Sequence, residues 1–356
     1  MSEGSNLEMT ENPFPPIRPD WLALQVEPVI DPDYPIVDAH HHLFDVPLWR
    51  YRFEDYLADI GSGHNVIATV YAECGSMYKA SGPKAFRPIG ETEFVNGVAA
   101  MSASGGFGKT QVCSAIFGHV DLTLGAQATE VLQAHIQAGG GRFRGIRHAT
   151  VYDASPAVRT TLDLPPPHLM ADPKFREGFA CLAPLGLSFD VWMYHPQLSD
   201  LISLARAFPE TTIVLDHVAG VLGIGPYAGR RDEIFGTWTR DMRELARLPN
   251  VQVKVGGLGM HSVGFGFHER PRPPSSEELA QAWRPYVETT IELFGAQRCM
   301  FESNFPVDKV SCSYAVLWNA LKRLSAHASP DEKAALMHGT ATRVYRLALE
   351  EKELSS

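Results

Sequence analysis

The chain has 356 residues, a formal net charge of −10 and 45% hydrophobic residues, enough apolar material for one large α/β unit or two modest domains. That charge leaves no basic stripe for nucleic acid. The first 33 residues, rich in Pro and acidic side chains, lack the basic-then-apolar order of a signal peptide or membrane anchor. Five scattered cysteines without a Cys-x-x-Cys pair argue against a disulfide framework or thiolate metal site and fit a reducing cytoplasm.

Residues 1–35 read as an N-terminal arm packed over the fold. Apolar runs of strand length then follow at 36–40, 66–73, 113–120, 145–149, 187–193, 212–217, 251–255 and 299–303. Helix-like stretches alternate with them at 91–101, 125–138, 173–185, 198–207, 232–247, 277–294 and 314–324, with a last one at 331–349. Asp172 before Pro173, Ser275 or Ser276, and Ser329 before Pro330 supply helix starts. Eight such units over 36–349, followed by a tail at 350–356, predict a (β/α)8 TIM barrel of the α/β class with long βα-loop insertions. A doubly wound sheet would need a Gly-x-Gly-x-x-Gly turn after an early strand, and none is present.

Residues 103–110 loosely mimic a phosphate-binding loop, but a helix-like stretch precedes them and a strand-like one follows, the reverse of what phosphate binding needs. They read instead as a lysine-tipped loop, carrying Lys109, that closes over a site. The stretches 76–110 and 256–268 read as lids. Trp21, Leu22 and Leu24 of the arm suit either a homodimer contact or a seal over the barrel floor.

In a barrel of this kind the chemistry gathers at the carboxyl ends of the strands. His40 and His42 end the first strand, and being two apart they face one side. Tyr71 and Glu73 end the second, Arg144 and Arg147-His148 bracket the fourth, Tyr194-His195 follow the fifth, Asp216-His217 end the sixth, and Glu302-Ser303-Asn304 end the eighth.

Val37-Asp38-Ala39-His40-His41-His42-Leu43-Phe44-Asp45 resembles the opening motif of the amidohydrolase superfamily, in its amidohydrolase-2 branch of TIM-barrel lactonases. Arg144-Gly145-Ile146-Arg147, His195-Pro196-Gln197-Leu198, Leu215-Asp216-His217 and Met300-Phe301-Glu302-Ser303-Asn304-Phe305-Pro306-Val307 resemble its later motifs in order, from about residue 36 to 347. The resemblance implies a hydrolase that opens a small carboxylated or sugar-acid lactone by water attack. It implies His40, His42 and His195 as metal ligands or, in metal-free members, polar substrate contacts, and His217 beside the reacting carbonyl. Arg144 and Arg147 would hold a substrate carboxylate, with Tyr71 and Tyr194 as further contacts to a small anionic substrate.

Three imidazoles and an open position would suit one catalytic zinc ion. Zinc and a metal-free site both stay open. Relatives carry Asp in Ser-Asp-x-Pro where this chain has Asn304, and an amide cannot take a proton at neutral pH. The replacements for the base are Glu302, then Glu73, then His217 or His195. The same substitution leaves a decarboxylase, an isomerase or a degenerate small-acid binder as alternatives.

Overall fold

Short β-branched runs separated by amphipathic stretches cannot pair through tight hairpins, so the strands pair in parallel and the helices cover them. The computed structural model describes residues 15–46, 49–159 and 164–349. Its eight parallel strands are β1 (Ile36–His41), β2 (Val66–Ala72), β3 (Gln111–Gly118), β4 (Phe143–Arg147), β5 (Ser188–Val191), β6 (Ile213–Leu215), β7 (Val251–Val255) and β8 (Cys299–Phe301). They pair in sequence order. The ring closes at its carboxyl end, where His41 bridges Phe305, Asn304 N–H donates to the His40 carbonyl (2.9 Å) and His42 N–H to that of Phe305 (2.8 Å). This is a (β/α)8 barrel.

One helix follows each strand: α1 (Phe53–Ile60), α2 (Ile89–Ala103), α3 (Ala128–Ala138), α4 (Pro173–Phe179), α5 (Leu198–Ala207), α6 (Arg231–Ala246), α7 (Ser276–Phe294) and α8 (Tyr314–Leu324). Asp172 caps α4 by accepting from the Lys174 and Phe175 amides. Ser275, not Ser276, caps α7, in a reciprocal box with Glu278. The predicted last helix at 331–349 breaks into Pro330–Ala334, a π-turn at Ala335–Gly339 and Thr340–Val344. That bend sends Ala341, Tyr345 and Leu347 under the barrel, where they cluster with Val37, Ala68, Ala115 and Met300.

The C-terminal segment therefore fills the floor, and the described part of the arm, residues 15–35, is not in that cluster. The described part of the arm runs along α7 and α8 instead. Glu27 accepts from Ser276, Ile30 N–H donates to Asn319 Oδ1, and Lys322 donates to the Ile30 and Asp31 carbonyls. Near its start Trp21 donates to the Arg270 carbonyl (3.0 Å), clamping the loop after β7. Leu24 stays exposed.

Within the stretch 76–110, residues 89–103 form α2 rather than a lid. The Lys109 loop joins α2 to the start of β3, where the Thr110 hydroxyl caps the Val66 carbonyl, so it lies at the amino end of the barrel and cannot cover the histidines. The tail at 350–356 lies outside the described residues. Among the described residues no helix is long and apolar enough to cross a membrane.

Candidate active site

Strict alternation along β1 would put Ala39 and His41 on one face. They are not. Ala39 belongs to the interior cluster, whereas His41 stacks on Tyr56 of α1 with ring centroids 4.0 Å apart and meets the Thr69 hydroxyl at 2.9 Å. A register shift between Asp38 and His41 accounts for this, since an irregularity of that kind re-aims the side chains beyond it. Asp38 faces outward and ties the two ends of the barrel together, accepting from Ser303 N–H (2.8 Å) and Oγ (2.6 Å) and from the Tyr56 and Tyr314 hydroxyls.

His40 and His42 face inward with their Nε2 atoms 3.1 Å apart. His42 Nδ1 meets the Ala72 carbonyl at 2.9 Å. His217 packs against His40, centroids 4.6 Å apart, and its Nδ1 meets Glu302 Oε1 at 2.7 Å. Four successive residues, His217 to Gly220, hold positive φ. Three of them have side chains, so the turn is strained, and strain of this kind concentrates at working sites.

Beneath His40 lies Lys254 of β7, fully buried. Its Nζ is 2.7 Å from Asp190 Oδ2, 3.0 Å from His40 Nδ1 and 3.2 Å from Asp216 Oδ1, and it sits over the Phe117 ring at 4.2 Å. Burial alone would lower its pKa, but Asp190, Asp216 and Glu302 outweigh that and raise it. Arg147 donates from Nε to Glu73 Oε1 (2.7 Å) and reaches the Glu73 carbonyl, with Asp216 Oδ2 3.7 Å away.

Burial holds His40 and His42 well below the usual imidazole range and His217 down at about 3, so all three are neutral at pH 7. Four carboxylates therefore face two permanent cations. Glu73 is matched to Arg147 and Asp190 to Lys254, which leaves Asp216 and Glu302, both pushed upward by burial. Both Asp216 oxygens and Glu302 Oε2 are buried without a hydrogen bond. His40, Asp216 and His217 bring ligand atoms within 4.8 Å of one another. Orphaned carboxylate oxygens beside converging imidazoles fit a divalent cation.

The amidohydrolase family model matches residues 37–347. The chain belongs to the amidohydrolase family. It is 33% identical over 327 residues to the uncharacterized protein y4mH of Sinorhizobium fredii, covering 92% of this chain and 93% of that one. It is 28% identical over 322 residues to an L-fucono-1,5-lactonase of Burkholderia multivorans, covering 87% and 96%. A crystal structure of a Burkholderia multivorans amidohydrolase with bound zinc superposes with a TM-score of 0.60 at 24% identity, over 88% of this chain and 99% of that one.

The other candidate residues of this amidohydrolase lie outside the His40, Asp216 and His217 group. His195 is not in the cation group: its Nδ1 accepts from Leu222 N–H (3.2 Å) and its ring edges onto Tyr227. Arg144, three residues before Arg147, turns away and donates to the Tyr345 carbonyl (2.8 Å). Tyr71 pairs in register with His41 and, like it, faces the helices, its hydroxyl donating to Glu91 (2.9 Å). The Tyr194 hydroxyl is held by the Val158 carbonyl. Asn304, with φ of 52°, donates from Nδ2 to Asp308 Oδ1 (2.8 Å), while its Oδ1 is buried and unbonded.

Sequence reasoning missed Lys254, Asp190, Asp216 as a site member, and Asp308. For Lys254 a signal existed. A lysine inside Val251-Gln252-Val253-Lys254-Val255 has no solvent face available in a parallel barrel strand, so it must be paired inside.

Proposed function

We propose that this amidohydrolase is a lactonase that opens a small carboxylated or sugar-acid lactone by attack of water on the ring carbonyl. The observation that carries the reading is the buried His217–Glu302 pair beside His40 and His42. Glu302 Oε1 lies 2.7 Å from His217 Nδ1; with Glu302 ionised it accepts the Nδ1 proton of neutral His217, and the lone pair is then on Nε2, where it can take a proton from water. A carboxylate that fixes an imidazole tautomer is a recurring base arrangement. The base is then His217, with Glu302 orienting it, and Asn304 Oδ1 is an acceptor for the water or a substrate hydroxyl. Arg147, already anchored on Glu73, is placed to meet substrate negative charge. The lactonase named among the relatives supports the reaction class.

His40 and His42, whose Nε2 atoms lie 3.1 Å apart, would hold a zinc ion, which when bound supplies Lewis acidity toward a carbonyl and lowers the pKa of bound water. A second reading, a decarboxylase or isomerase on the same barrel or a binder of small acids, rests on Asn304, whose amide accepts no proton. Steady-state assays with L-fucono-1,5-lactone and a panel of carboxylated lactones test the first reading. His217→Gln is expected to lower kcat/KM by about 100-fold or more, whereas His195→Ala stays near wild type. Absence of lactone opening, or release of CO₂ from aromatic acids, would favour the second.

A further inference from the structure

The neighbours of His40 leave one arrangement for its proton. An ammonium only donates, so His40 Nδ1, 3.0 Å from Lys254 Nζ, is bare and the proton is on Nε2. His42 Nε2, 3.1 Å away, must accept it. His42 then carries its own proton on Nδ1, where the Ala72 carbonyl accepts. Starting from the Ala72 end gives the same assignment, because a carbonyl only accepts. Lys254 is itself fixed by Asp190, whose Oδ2 also takes the Tyr345 hydroxyl at 2.5 Å.

A histidine that ligates a cation through Nε2 ordinarily donates its Nδ1 proton to an acceptor. His42 has such an acceptor. His40 faces a donor instead, and its Nε2 lone pair is consumed by the proton given to His42. Two acceptors nonetheless wait 3.5 Å from His40 Nδ1: Asp216 Oδ1 and Glu302 Oε2, both buried and unbonded.

We propose that Lys254 is a positioning residue that holds His40 in its Nε2-protonated form, so that a divalent cation enters between His40 and His42 only when His40 changes tautomer. The Nε2 proton is released to solvent water as the cation arrives and solvent water returns one to Nδ1, so the imidazole stays neutral and there is no net proton release. The new Nδ1–H is taken by Glu302 or Asp216. Lys254 keeps its charge and turns its N–H from His40 to Asp216 Oδ1, 3.2 Å away. The orphaned oxygens are thus the acceptors of the cation-bound form, and Lys254 sets the affinity by stabilising the other form. This inference rests on the cation half of the site reading and not on the identity of the lactone.

Zinc binding by calorimetry and histidine tautomers by ¹⁵N NMR, on metal-free wild type and Lys254→Gln, test it. The variant is expected to bind zinc tighter by roughly tenfold or more, and its His40 proton to move to Nδ1 before any metal is added. A purely electrostatic effect of the lysine would tighten zinc without moving that proton. If the variant does not fold, wild type alone decides: the His40 proton sits on Nε2 without zinc and on Nδ1 with one equivalent. Equal zinc affinity, zinc bound by neither protein, or an Nδ1-protonated His40 in metal-free wild type would overturn the proposal. Lactone opening by the metal-free enzyme would leave the reaction reading standing in that event.

Discussion

A carboxylate at position 304 would meet another at 308. Asp308 already accepts from Asn304 Nδ2 (2.8 Å) and Gly259 N–H (2.7 Å), and burial holds it well above the usual carboxylate range. In Asn304→Asp the two groups must share one proton, so the folded-state pKa of the pair lies above its unfolded value. The stability of that variant is then greatest in acid and falls, relative to wild type, as pH rises. Adding Asp308→Asn should remove the penalty, which urea unfolding across pH would show. Adding a base at 304 is therefore not the simple gain of function that the Ser-Asn-Phe-Pro motif suggests. At this scale His40, His42 and His217 were legible because strand ends are marked by where apolar runs stop. Arg144, Tyr71 and His195 were misplaced because the facing of one side chain depends on register and loop path, which no short motif encodes.

Strand and helix order was legible almost throughout, since α5, α8 and β7 stand where the hydrophobic runs place them. What periodicity could not show is the shift between Asp38 and His41 and the bend at Ala335–Gly339, because both answer to tertiary demands. The turn leaving β7 belongs with these. Gly257 has φ of 65°, and a Cβ there would lie 2.5 Å from His217 Cβ, while one on Gly256 would lie 2.4 Å from Glu302 Cγ. Two adjacent glycines thus leave the room in which the His217–Glu302 pair sits. Gly257→Ala is expected to cost about 1–2 kcal/mol for the left-handed backbone alone. By displacing His217 it should also lower kcat/KM by about 100-fold, with the far-ultraviolet circular dichroism unchanged.

Across the whole molecule, buried titratable groups make stability depend on pH in two opposed ways. Burial lowers His41 and His217 to about 3 and His135 to about 4 from 6.5, so their contribution is complete above 6.5 and shrinks as pH falls. Glu91 acts oppositely. Burial, with Glu73 nearby, raises it from 4.5 to about 8, so its contribution is complete below 4.5 and lost as pH rises toward 8. Its Oε1 accepts from Tyr71, Cys74 and Ser76, and a glutamine oxygen can do the same. Glu91→Gln should therefore gain on wild type steadily across that interval in thermal unfolding. The ring as a whole carries one further consequence. Neighbouring strands are laced along their length by backbone ladders, whereas the first and last meet, among the described residues, through the His41–Phe305 contact, its two flanking amides and the Ser303 bonds to Asp38. The imidazoles of one lip and the Glu302–Asn304 segment of the other are held in register by a clasp rather than a zipper. Amide exchange at His42 and Asn304 should outpace that of the other barrel ladders, and each such opening would momentarily dismantle the chemistry while the rest of the cylinder stays intact.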